Sequence, residues 1–221
     1  MLELLPDYDR RRGLSVLAIG AHCDDIELGC GGTLLALQTA LPRLRIHCVT
    51  LVAPPDRRHE SERGLAALVA PAKRGQFIYH ALRDGYLPAQ HAAAKDALES
   101  ARRLARPDLV FCHERDDRHQ DHRTLGEIVW SVFRDQLVLE YEVIKWDGGL
   151  TTPNVYVPLT AAQVRRKHAA LIRAHRTQAD RDWFKVPAFE ALLRLRGLEC
   201  RAPSGLAEGF HARKIRLRAG R

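Results

Sequence analysis

The reading of the fold turns on residues 15–33, Ser15-Val-Leu-Ala-Ile-Gly-Ala-His22-Cys-Asp-Asp-Ile-Glu-Leu-Gly-Cys-Gly-Gly-Thr33. Ser15 to Ala21 is short, almost continuously apolar and ends on small residues, as expected of a strand buried on both faces of a parallel sheet. A polar cluster, His22 to Glu27, follows at once. Thr33 then reads as the opening of a helix that Pro42 helps to end. The order is strand, loop, helix, and it recurs. Residues 45–52 read as a strand, 58–70 as a helix, 76–80 as a strand, 89–105 as an Ala-rich helix and 108–112 as a buried strand, followed by a helix through about Phe133. Such alternation predicts right-handed βαβ units, hence an α/β fold with an open, mostly parallel sheet and helices on both faces. Beyond residue 136 the pattern changes to an elaborated C-terminal segment: strands at 137–144 and 154–158, helices at 160–175 and 187–196, and a last strand at 210–217. No repeat or long linker divides the 221 residues, so 1–221 is read as one domain.

Composition narrows the class. Apolar residues make up 46% and charged residues 28%, which argues against disorder. No apolar run is long enough to span a bilayer and the start lacks a signal pattern, so a cytoplasmic protein is expected. The five cysteines, Cys23, Cys30, Cys48, Cys112 and Cys200, are scattered without a C-x-x-C pair and read as reduced thiols. The net charge is +8, but residues 161–221 hold 15 basic and 5 acidic side chains, so the whole surplus lies there. Nucleic acid is not needed to explain it. If those side chains rim the pocket, they favour a substrate carrying phosphate.

Reactive groups in open α/β sheets gather beyond the carboxyl ends of the strands, and both dense His/Asp clusters fall there. In the first, His22 and a carboxylate three residues later can face one ion at a strand-to-loop bend. Asp24 and Asp25, being adjacent, point in different directions, so one can ligate while the other stays free to take a proton from water. The second runs from His113 to His122; His119 and His122 share a face if they open a helix. Together they give a His/Asp/His ligand set with an open position, the pattern of a catalytic zinc site. The glycines at 29, 31 and 32 do not match G-x-G-x-x-G, which excludes a dinucleotide fingerprint.

His22-Cys-Asp-Asp-Ile-Glu-Leu-Gly-Cys-Gly-Gly-Thr33 resembles the A-H-P-D-D-x-E...G-G-T motif of the PIG-L/LmbE-like zinc-dependent N-deacetylases, and His119-Gln-Asp-His122 resembles their H-P-D-H. Looser similarity lies in Arg83-Asp84-Gly85, Thr177-Gln178 and Ala207-Glu-Gly-Phe-His211. Cys23 and Gln120 stand where the family usually has proline. The resemblance implies a Rossmann-like fold and one Zn2+ per chain, held by His22, Asp25 and His122. It further implies Asp24 as general base, His119 as the group that stabilises the oxyanion or protonates the leaving amine, and Asp121 as the residue that orients the His119 ring. Arg57, Asp84 and His211 are the candidate substrate-binding residues. The expected reaction removes the acetyl group from an N-acetylated amino sugar of the N-acetylglucosamine type, or from its conjugate. The expected partner is a small molecule, not nucleic acid; the family also forms homo-oligomers. Two alternatives are a metal-dependent phosphoesterase, which would hold two metals, and a non-catalytic sugar- or nucleotide-binding protein of the same fold.

Overall fold

The computed structural model describes residues 8–216. Its seven strands form a single sheet in the order β3-β2-β1-β4-β5-β7-β6, with β1 Leu14–His22, β2 Leu44–Val52, β3 Arg74–Tyr79, β4 Leu109–His113, β5 Leu137–Tyr141, β6 Val155–Pro158 and β7 Ala207–His211. The first five are parallel, while β7 inserts antiparallel between β5 and β6. The chain runs from β1 outward to β3, then returns to lay β4 on the other side of β1. That reversal opens a crevice beyond the carboxyl ends of β1 and β4.

Alternation along β1 divides the core. Val16 and Ala18 face one apolar layer, packed with Leu34, Leu65, Leu171 and Phe189. These come from α1 Asp25–Ala40, α2 Pro55–Leu68, α5 Ala161–Ala174 and α6 Val186–Glu199. Leu17 and Ile19 face a second layer, built by Ala94, Leu98 and Ala101 of α3 His91–Ala105 and by Leu125, Ile128 and Val129 of α4 Gln120–Val132. Helices on both faces explain why these strands read as continuous apolar runs.

Three elements differ from expectation in ways that bear on the site and the sheet. The first helix begins at Asp25, eight residues before Thr33, so the polar cluster is itself the helix start. The glycines there serve close packing rather than a loop. A Cβ on Gly29 would stand 2.1 Å from Tyr141 Cδ2, and one on Gly32 would stand 2.4 Å from Leu159 Cδ1 and 2.9 Å from Glu208 Oε1. Glu208 also accepts the N–H groups of Gly32 and Thr33, at 2.8 and 2.7 Å. The strand expected at 137–144 stops at Tyr141, and the one expected at 210–217 is Ala207–His211, with Leu217 outside the described residues. Pairing sets both limits, since β5 and β7 share only Glu140 with His211 and Tyr141 with Phe210.

Candidate metal centre and active site

Two elements converge on the crevice. β1 ends on His22 and turns through Cys23 and Asp24 into α1, which opens with Asp25. Asp24 sits at φ 123°, a backbone region that non-glycine residues adopt only when their surroundings hold them there. The surroundings are Arg57, whose Nη2 donates to the Cys23 carbonyl and, at 3.0 Å, to Asp24 Oδ2. From the other side, His119 caps α4, and its first turn carries Asp121 and His122.

His22, Asp25 and His122 come together as a group able to hold a metal ion. His22 Nδ1 lies 3.2 Å from His122 Nε2 and 3.4 Å from Asp25 Oδ2, and His122 Nε2 lies 3.6 Å from Asp25 Oδ1. Ligands held tetrahedrally at zinc's usual bond length of about 2.0–2.1 Å stand about 3.3 Å apart; the two ring nitrogens at 3.2 Å match that spacing, with one or other Asp25 oxygen 3.4–3.6 Å from each. The electrostatics agree. Burial disfavours a charged His22, yet Asp121, Asp25 and Asp84 outweigh it and hold its pKa well above the ordinary value, so the carboxylates draw positive charge to this ring and a bound metal would take the place of its proton. Burial, with His113 beside it, pushes His122 down to about 3, leaving it neutral as a ligand must be. Burial works against the Asp25 charge, but His122 and His113 hold its carboxyl well below the usual carboxylate range.

Each histidine is braced by a carboxylate on its other nitrogen. His22 Nε2 lies 3.2 Å from Asp121 Oδ2, and His122 Nδ1 lies 3.1 Å from Asp117 Oδ2, which also accepts from Lys145 Nζ at 2.7 Å. Such carboxylate–histidine pairs fix the tautomer that presents a lone pair to a metal. Asp121 thus corrects an expectation. Its carboxylate accepts from the backbone N–H groups of Gly85 (2.7 Å) and Leu87 (3.0 Å) and braces His22, while the His119 ring is oriented by the Asp121 backbone N–H, which donates to His119 Nδ1 at 3.3 Å. With Nδ1 accepting, a neutral His119 carries its proton on Nε2. The ring stands edge-on to His22, centroids 5.1 Å apart.

Asp24 is buried next to Asp25 in the chain and makes none of the donor contacts. Burial raises its pKa to about 7, against the opposing pull of Arg57. Asp84 lies at the mouth, 76% exposed, with Oδ1 3.1 Å from His22 Nε2. His211 stands apart, bonded to Thr151 Oγ1 at 2.9 Å and 3.5 Å from Glu114 Oε1. The buried Cys23 thiol faces the Val52 carbonyl at 3.8 Å. Five of the basic side chains after residue 160 are engaged elsewhere than in a rim for a phosphate-bearing substrate. Lys167 and Arg196 are buried in pairs with Glu208 and Glu142, Arg213 binds Glu140 and Asp116, and Arg166 and Arg173 line a groove between α2 and α5 with Arg63.

Sequence reasoning missed Asp117, His113 and Lys145. Asp117 carried a usable signal, an acidic residue five positions before a ligand histidine in a His/Asp-rich loop. Lys145 carried none, since its partner is 28 residues away.

Solved structures share the whole architecture. A conserved protein from Thermus thermophilus is similar at a TM-score of 0.71 and 21% identity, over 93% of this chain and 97% of that one. The N,N'-diacetylchitobiose deacetylase of Pyrococcus horikoshii follows at 0.70 and 22%, over 91% and 84%. The 4-carboxy-2-hydroxymuconate hydratase of Pseudomonas putida gives 0.69 and 15%, over 94% and 99%. At such identities the likeness is one of fold, and the fold carries more than one chemistry. The family model for PIG-L, GlcNAc-PI de-N-acetylase, matches residues 17–133, which hold both His/Asp clusters and make up more than half the chain. By that match the chain belongs to the PIG-L family.

Proposed function

We propose that this protein is a zinc-dependent hydrolase that removes the acetyl group from an N-acetylated amino sugar or its conjugate. The observation that carries the reading is a three-donor His22/Asp25/His122 set at zinc-like spacing beside a buried, unligated carboxylate, Asp24, whose pKa is raised to about 7. The GlcNAc-PI de-N-acetylase description of the family and the sugar deacetylase among the structural neighbours support the amino-sugar class. The single sheet supports treating the described residues, 8–216, as one catalytic domain.

When bound, zinc polarises an amide carbonyl and lowers the pKa of water towards neutrality. The protein's own groups do the rest. Asp24, poised near neutral pH, accepts the proton that water gives up as it adds to the carbonyl carbon. Arg57 holds that carboxylate in place through its Nη2 contact. His119, whose proton lies on Nε2 when Nδ1 accepts from the Asp121 backbone, donates to the oxygen or nitrogen on which charge develops. Cleavage of the C–N bond leaves acetate and a free amine. Asp84, exposed beside His22, accepts from a sugar hydroxyl.

The test is a panel of N-acetylated sugars and conjugates assayed for acetate and free amine. Release from at least one conjugate, lost in Asp24→Asn, is expected. Phosphate release with two metals per chain supports the phosphoesterase alternative instead.

A further inference from the structure

His113, the last residue of β4, is fully buried and has no part in the chemistry above. Its ring stacks on the metal-donor histidine His122, centroids 3.8 Å apart at 23°. Its Nε2 lies 3.0 Å from Asp25 Oδ2, and its Nδ1 is buried without a hydrogen-bond partner. Two other groups meet the same Nε2: the Ala21 backbone N–H at 3.0 Å and the Tyr141 hydroxyl at 3.3 Å. The Tyr141 proton is already given to the Ile19 carbonyl at 2.7 Å, so its oxygen can only accept from His113.

Nε2 is therefore contested, and charge decides the contest. If Nε2 accepted from Ala21, its lone pair would stand against an anionic oxygen and the proton on Nδ1 would be stranded. Each tautomer leaves one buried N–H unmet, since a proton on Nε2 deprives the Ala21 N–H of its acceptor, so the donor count is even and the Asp25 charge separates the two. A proton on Nε2 makes a charge-assisted bond to Asp25, about twice as strong as a neutral one, and leaves Nδ1 merely an idle acceptor. Asp25 Oδ2 also accepts the His22 N–H at 2.6 Å. With two donors fixing Oδ2, Oδ1 is the oxygen left to face the other metal donors.

We propose that His113 is a positioning residue for the metal site: its Nε2–H locks the Asp25 carboxylate and its ring backs His122, so that the donor set is formed before the metal arrives. The proposal rests on the zinc reading above. The cluster of His113, Asp117 and His122 is not itself a second metal site, because the Lys145 ammonium already sits 2.7 Å from Asp117 Oδ2.

The test measures zinc affinity by competition with a chelator, with apo-protein melting as a folding control. Loss of such supporting partners typically weakens metal binding about 10–100-fold. His113→Leu and His113→Met should therefore bind one zinc per chain with Kd raised about 10–100-fold. His113→Gln, whose amide N–H can reach the same oxygen, should recover most of the loss. Nitrogen-detected NMR of the wild-type imidazoles gives a readout that needs no variant, and should find the His113 proton on Nε2. A folded Leu or Met variant that binds zinc as tightly as wild type overturns the proposal, as does a proton on Nδ1. Wild-type protein that takes up no zinc overturns the metal reading and this proposal with it, whereas equal binding by wild type and His113→Leu overturns this proposal alone.

Discussion

Asp121→Asn separates two roles for one carboxylate. The side chain is fully buried and meets three N–H groups: Gly85 and His22 at Oδ2, Leu87 at Oδ1. Asparagine offers one acceptor where there were two. The less costly orientation keeps the carbonyl towards Gly85 and His22, which sets the new NH2 against the Leu87 N–H. A buried donor left without an acceptor costs about 1–3 kcal/mol. At roughly 2–4 °C per kcal/mol for a domain of this size, the apo protein should melt roughly 2–12 °C lower. A neutral amide also braces His22 less strongly than a carboxylate. The expected loss of zinc affinity is about 10–100-fold, or about 1.4–2.7 kcal/mol. The assay is zinc competition together with steady-state turnover at saturating zinc. Because the His119 ring is oriented by the backbone of residue 121 and not by its carboxylate, kcat at saturating zinc should stay within about tenfold of wild type. Unchanged zinc affinity with a kcat reduced by about two orders of magnitude or more would falsify this division and return Asp121 to the service of His119.

Asp24→Asn should keep one zinc per chain while kcat falls about 10²–10⁴-fold, as loss of a general base entails; metal analysis and acetate release check the two halves separately. Gly29→Ala places a methyl group 2.1 Å from the Tyr141 ring, which is rigid and fully buried, so the backbone of α1 must shift. A loss of about 1–3 kcal/mol, read as a lowered melting temperature, is expected, and an unchanged one refutes the packing account of that glycine. His175 Nε2 is paired with Glu27 Oε1 at 3.0 Å, and although burial lowers its pKa, the Glu27 charge prevails and raises it. A raised pKa in the folded state stabilises fully below about pH 6.5 and fades as pH rises through the folded value. The melting difference between wild type and His175→Gln should therefore shrink from about pH 6 to about pH 9; a difference that grows contradicts the pairing.

Much of this was legible in the residues because two periodic signals and two clusters coincide. Ser15 to Ala21 and Asp108 to Cys112 are apolar on both faces, and polar histidines and aspartates follow each directly, which places them at one end of one sheet. What local reading misjudged was what glycine and aspartate were for. Gly29 and Gly32 looked like loop residues because their reason, contact with Tyr141 and with Leu159 and Glu208, lies more than a hundred positions away in the chain. Asp121 looked like the partner of its neighbour His119, yet its carboxylate reaches across to His22, 99 residues earlier. Arg57 was read as a substrate contact, and its first engagement is with Asp24 and the Cys23 carbonyl. The positive charge after residue 160 looked like one surface because sequence cannot tell buried pairs such as Lys167–Glu208 and Arg196–Glu142 from solvated arginines.

The central claim is that one zinc, held by His22, Asp25 and His122, is required for release of acetate. Zinc titrated into chelated protein, with acetate release measured at each addition on a conjugate from the panel, tests it most directly. Activity should be absent without metal, rise with zinc to a plateau at one equivalent per chain, and not return in His122→Ala. Acetate release that persists without metal, or a plateau reached only at two equivalents, contradicts it.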